Sequence, residues 1–322
     1  MHTLSLSLLA QQAVQAPQTP TGLVLGFLLA IVALFIGVNY FTRTGSIARA
    51  TLKEAIRQPV FILLAVVGVV VGVVNYYLPF FSLGEDTKMF VDCGLATTLI
   101  CSLILAVWTA SLSVAEEIEG KTAITLLSKP VTRREFILGK YFGILQASFW
   151  MIVIVGTVLV CLTYFKFGFD QKESGKELLD YVEWRGNIPS LQKDRYEAAV
   201  TLLPGLVLIF FESAVMAAVS VAISTRMPMI VNMTACFSIF IVGHLMPVLV
   251  RSALQDIPFV PFVAQFFATV LPALENFNMS AAVSTGKIIP SAYLLSTGAY
   301  AVAYSAAIVL LAFILFEDRD LA

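Results

Sequence analysis

Two short patterns carry residue types that do chemistry in other settings. Ala115–Thr122 reads A-E-E-I-E-G-K-T, which formally meets the loose phosphate-loop rule of a small residue, four of any kind, then Gly-Lys-Thr. A loop that cradles phosphates needs small residues with converging amides, set between a strand and a helix. Here Glu116, Glu117 and Glu119 would repel a triphosphate, and both flanks are long apolar runs. Nucleotide binding on this chain is therefore rejected. The second pattern is Glu116-Glu117-x-x-x-Lys121 followed much later by Phe240-x-x-x-His244. A catalytic zinc needs about three converging protein ligands, and the only other histidine, His2, sits at the far end of the chain. His244 reads as a packing histidine bonded to a neighbour. Cys93, Cys101, Cys161 and Cys236 form no C-x-x-C pair and fall in or beside apolar runs, so they read as structural thiols. One carboxylate, Glu212 in FFESAVMAAVS, lies well inside an apolar run. Such a charge is costly in a membrane and faces protein or water. It is a candidate for a substrate path or for pairing with a polar residue on another helix.

The elements that must position these residues are membrane helices. Hydrophobic residues make up 59 % of the 322 and charged ones 13 %, about half the charge of an ordinary soluble domain. Mean hydropathy is +0.89. A net charge of −1 gives no reason to invoke nucleic acid. A helix crosses a bilayer in about 20 apolar residues. Seven stretches meet that length: Gly22–Phe41, Pro59–Phe81, Val91–Val114, Tyr141–Phe165, Val200–Ser224, Pro228–Val250 and Ser291–Phe316. The region 257–282 is apolar at first but broken by Pro258, Pro261 and Pro272, so it reads as a re-entrant or interfacial helix pair. The expected fold is an all-α polytopic membrane protein. The basic residues of the short loops fall on one side when Arg43–Arg57 is cytoplasmic, which puts the N-terminus outside and the C-terminus inside. The tail 1–21 holds an Ala-Val-Gln-Ala that resembles a leader-peptidase site, but it lacks the basic segment of a cleaved leader.

Between the third and fourth spans lies the densest mixed-charge loop, 115–140, holding Lys121, Lys129, Arg133, Arg134 and Lys140. Gly120 interrupts the preceding helix, Ala123–Leu127 supplies a short amphipathic turn, and Pro130 stops it. Thr132 with Glu135 then forms a capping box for the next helix. Ser46–Arg57 is a separate element. Ala48, Leu52, Ala55 and Ile56 form an apolar stripe beside a basic one of Arg49, Lys53 and Arg57, the pattern of a helix lying in the membrane interface. Gly22-x-x-x-Gly26 and Gly68-x-x-x-Gly72 would allow close helix approach. The outer loop 166–198 is balanced in charge, with Tyr181 and Trp184 as candidate contacts on a solvated cap.

The string EEIEGKTAITLLSKPVTRREFILGKYFG resembles the loop of ABC-2 type transporter permeases, in which T-x-x-x-L-L-S-x-P-V-x-R-x-x-F-x-x-G-K joins two spans. The helix before Pro59, the proline-broken LPALENFNM and the ending FEDRDL resemble that family's other parts. The resemblance runs from Ser46 to Ala322, and it implies a permease domain over 42–322. Gly22–Phe41 is an extra span ahead of the usual six. By resemblance, the helix around Thr122–Lys129 is a coupling helix that docks on a separate ABC ATPase subunit. Glu119, Lys121, Lys129, Arg133 and Arg134 are the expected contact and its support, with Leu126 and Leu127 as the buried part. The working unit would pair two permease chains, alike or different, in the inner membrane, as an exporter. ATP and Mg would sit on the partner, so this chain would carry no cofactor and would not itself be an enzyme. The rival readings are a scaffold, a secondary transporter, and an intramembrane CAAX-type protease. The last fails on ligand count.

Overall fold

The computed structural model describes residues 21–78, 86–117, 132–168, 180–185, 188–251 and 270–317. In chain order the helices are α1 (Thr21–Phe41), α2 (Thr44–Arg57), α3 (Pro59–Tyr77), α4 (Asp86–Ala110), α5 (Arg133–Lys166), α6 (Lys193–Val200), α7 (Leu203–Ser224), α8 (Met229–Arg251), α9 (Ser280–Ser284) and α10 (Ser291–Glu317). Helix α4 runs directly into a π-helical segment, Ser111–Glu116. A 3-10 turn, Leu274–Phe277, precedes α9.

Among the described residues, six helices are long and apolar enough to cross a membrane: α1, α3, α4 to Ala115, α5, α6 joined with α7, and α10. The seventh expected span corresponds to α8, a helix of 23 residues. At about 1.5 Å per residue, α8 reaches roughly 34 Å. The all-α membrane fold is as the sequence indicates. The loop 166–198 adds what the sequence reading lacked: β1 (Val182–Arg185) pairs antiparallel with β2 (Ile188–Leu191), Val182 opposite Leu191 and Trp184 opposite Pro189.

Helix α7 is the central column. Its apolar window is 89 % buried, against 22 % for α1, 17 % for α3 and 28 % for α10. Around it pack α4, α5 and α10, while α1 and α3 show most of their Leu, Ile and Val outward. Outward apolar side chains are what a lipid surround accepts, since tails and side chains are equally apolar.

Local rules explain the element ends. Gln58 is extended (φ −68°, ψ 137°) because Pro59 follows it, and Pro59 then begins α3, where its missing N–H costs nothing. At the start of α5 the capping box forms as expected. The Glu135 N–H donates to Thr132 Oγ1 at 3.2 Å, and the Thr132 N–H donates to Glu135 Oε2 at 2.8 Å.

At Gly139 and Gly143 the short helix α2 crosses α5 with no α5 side chain between them. A Cβ on Gly143 would come 2.5 Å from Thr51 Cβ and 2.8 Å from the Ala48 carbonyl oxygen. One on Gly139 would come 2.6 Å from Ile47 Cβ. This Gly139-x-x-x-Gly143 crossing was not singled out in the sequence. Of the two such patterns that were, Gly68 meets Val155 and Gly72 meets Leu162, whereas Gly22 and Gly26 face open space.

Candidate functional site

The end of the bundle bearing residues 117 and 132–140 is assembled from four elements. Glu117 follows the π segment, and its Oε1 accepts from Lys140 Nζ at 2.6 Å. Only 5 % of the Lys140 side chain and 23 % of Glu117's are exposed, so water screens this pair far less than a surface one. Burial pushes the Glu117 carboxyl above its ordinary range, and the Lys140 ammonium opposes that shift. Lys140 also lies 5.6 Å from the centre of the Phe136 ring, and Phe136 stacks on Phe316 of α10 at 5.8 Å. Lys140 sits between Gly139 and Gly143, so the same turn of α5 that receives α2 also receives Glu117. The sequence reading counted Lys140 in the loop but did not join it to Glu117. The signal was two opposite charges at facing span ends.

Arg133 and Arg134 do different things. Arg133 Nη1 donates to the Phe316 carbonyl at 3.1 Å and the Glu317 carbonyl at 2.9 Å, with its guanidinium 5.7 Å from the Phe316 ring centre. These carbonyls belong to the last turn of α10, where helical partners run out and the helix dipole is negative. Arg134 meets the Glu317 carboxylate at 3.6 Å with both side chains about two-thirds exposed, a pair of small energetic weight. Glu119, Lys121, Leu126, Leu127 and Lys129 lie outside the described residues. Arg49, Lys53 and Arg57 form the exposed face of α2, while Gly45, Ala48, Thr51 and Ala55 form its buried one. The buried stripe is thus shifted from the expected one towards residues small enough for the glycine crossing. Ile56 stays 38 % exposed.

Two further cations seal helix ends at the opposite face. Lys166 Nζ donates to the carbonyls of Asn75 at 3.1 Å and Tyr76 at 3.4 Å, the end of α3. Arg195, 1 % exposed, donates from Nη1 to Tyr164 O at 3.0 Å and Phe165 O at 3.2 Å, the end of α5. Its guanidinium lies 4.3 Å from the centre of the Tyr181 ring. Tyr181 is thereby engaged inside the chain, while Trp184 is 71 % exposed.

Within the bundle, Glu212 on α7 is 1 % exposed. Its Oε1 lies 3.4 Å from His244 Nε2 on α8, and His244 Nδ1 is 3.1 Å from the Phe240 carbonyl. Glu212 thus faces a polar residue on another helix, and His244 contacts the carbonyl one turn back on its own helix. The pair is close in distance but not aligned: Glu212 Oε1 has no hydrogen-bond partner among the described residues.

The extra helix α1 is fastened to the bundle by a reciprocal amide pair. Asn39 Nδ2 donates to Gln146 Oε1 at 3.0 Å, and Gln146 Nε2 donates back to Asn39 Oδ1 at 3.1 Å. Phe27 meets Phe211, and Phe35 meets Phe149 and Phe210, all edge-to-face.

The family model described as ABC-2 family transporter protein matches residues 45–321, from the start of α2 to the end of the chain and without α1. Comparison with curated proteins gave no match.

Proposed function

The chain belongs to the ABC-2 family of transporter proteins, and from that premise we propose that it is the permease subunit of an ATP-driven exporter, docking a separate ATPase through the loop 115–140. The observation that carries this reading is how the loop is rooted. Its entry is held by Glu117 on Lys140 at 2.6 Å, and its exit by the capping box and by Arg133 on the end of α10. A loop so anchored passes a push to α4, α5 and α10 together and to α2 through the glycine crossing. ATP-driven closure of an ATPase pair would tilt these helices and switch access. Hydrolysis, with its ATP and Mg, is assigned to the partner. A second permease chain, the same or a different one, completes the unit, embedded in the inner membrane with the loop and the C-terminus cytoplasmic. The basic face of α2, Arg49, Lys53 and Arg57, lies in the cytoplasmic interface.

The test is mild-detergent co-purification from native membranes. An ABC ATPase is expected in near-equal amount and is lost when Lys121 and Lys129 are reversed in charge. Reversing Arg133 is the wrong probe, because that side chain holds α10. Recovery of the chain without an ATPase would overturn the reading.

A further inference from the structure

A cavity of about 280 Å³ opens beside the buried Glu212, walled by α4, α7, α8 and the turn that leads to α9. Its walls are mostly apolar or aromatic, with Leu99, Ile209, Phe240 and Phe277 among them, and its polar lining is Glu212, His244, Asn278 and Ser280. Glu212 is the one carboxylate among the described lining residues. Among the described residues no arginine or lysine lines the cavity. His244, on α8, meets Glu212 at a distance and angle that leave Oε1 without a hydrogen bond. A buried carboxylate oxygen left in that state costs free energy unless a ligand completes it.

We infer that this cavity is a binding site for organic cations, with Glu212 as the charge partner and the Phe240 and Phe277 rings as the aromatic wall. The chemistry selects this class. A hard metal cation needs six to eight oxygen ligands for calcium, or near-octahedral oxygen for magnesium, and the described lining offers side-chain oxygens only from Glu212, Asn278 and Ser280. An anion would meet the Glu212 carboxylate. An uncharged apolar molecule would fill the walls but leave Glu212 unsatisfied. An ammonium carried on an apolar body satisfies all three features at once: the carboxylate takes the charge, the aromatic faces attract it, and the walls take the body. Ala96 and Ile100, which line the cavity, are exposed on the membrane-spanning α4, which offers a route in for a ligand that partitions into the bilayer. That such a cation is also transported rests on the permease reading above; that it binds does not.

The experiment measures saturable binding of radiolabelled benzylammonium, whose N–H groups can donate to Glu212, to the purified full-length chain in nanodiscs, beside its uncharged isostere ethylbenzene. Wild type is expected to bind the cation saturably. Glu212→Gln, nearly the same shape, is expected to bind it about tenfold more weakly or worse, the loss of one charge-assisted contact, and to bind the isostere as wild type does. Ile209→Trp, which fills the cavity without changing charge, is expected to abolish both. Three outcomes would overturn the site: no saturable cation binding by wild type, equal cation binding by Glu212→Gln, or equal loss of cation and isostere in that variant. Failure to recover an ATPase leaves these results unchanged, so the two readings fall separately.

Discussion

Replacing Gly139 and Gly143 by alanine should loosen α2 from α5, and the amount follows from the geometry. The new Cβ at position 143 would lie 2.5 Å from Thr51 Cβ, where carbon atoms rest at about 3.5–4.0 Å. The obstacles are backbone and Cβ atoms, not flexible tips, so the helices must part by roughly 1 Å. Overpacking of that kind costs about 1–3 kcal/mol per site. One displacement relieves both sites, so the pair should cost about 2–3 kcal/mol and not twice the single value. Thermal unfolding in mild detergent reads this as a fall of several degrees. The same substitution at Gly22 and Gly26 is the internal control, because nothing lies within 4 Å of either added methyl. There alanine should be neutral or stabilising by up to about 1 kcal/mol per site through helix propensity. Equal effects of the two double variants would refute the claim that only the 139/143 crossing is sterically filled.

The remaining expectations are as direct. Arg133→Gln should cost about 1–3 kcal/mol and speed hydrogen exchange over 310–317, whereas Arg134→Gln should cost under about 0.5 kcal/mol; similar exchange profiles would refute the distinction. Lys140→Met leaves Glu117 half-buried without its cation and should cost about 2–4 kcal/mol, most of it regained when Glu117→Gln is added. A strictly additive double variant would show that the two do not act as a pair. Asn39→Leu should cost about 1–2 kcal/mol by orphaning Gln146, and Asn39→Leu with Gln146→Leu should recover most of it. Cross-linking between α1 and α5 by introduced cysteines checks that α1 stays docked in both.

Features set by neighbours in sequence were legible before the fold was known. The Thr132–Glu135 capping box, the break at Pro59 and the length of each apolar run depend on contacts a few residues apart. Glu212 was legible as well, because a carboxylate within an apolar helix must find a partner somewhere. Contacts between distant residues were not legible. Four residues separate Gly139 from Gly143 just as they separate Gly22 from Gly26, and only a crossing helix distinguishes them. Arg133 looked like a docking residue because its neighbours are charged, yet its acceptors are carbonyls more than 180 positions away. The β-hairpin escaped notice because its strands are four residues each and polar in part, too short for an alternation signal. Arg195 was counted among balanced loop charges, when it is the largest of the fully buried side chains among the described residues.

The amide pair between Asn39 and Gln146 has a mechanical consequence. Neither group titrates, and each both gives and receives one hydrogen bond, so proton concentration and membrane voltage leave the fastening closed. Sliding α1 by one turn would strand two amides in hydrocarbon. Helices α1 and α5 are therefore tied at that level of the bundle, and α1 turns its exposed leucines outward. On the proposed permease reading, a tilt of α5 carries α1 with it through the acyl chains, and the speed of switching should follow lipid fluidity.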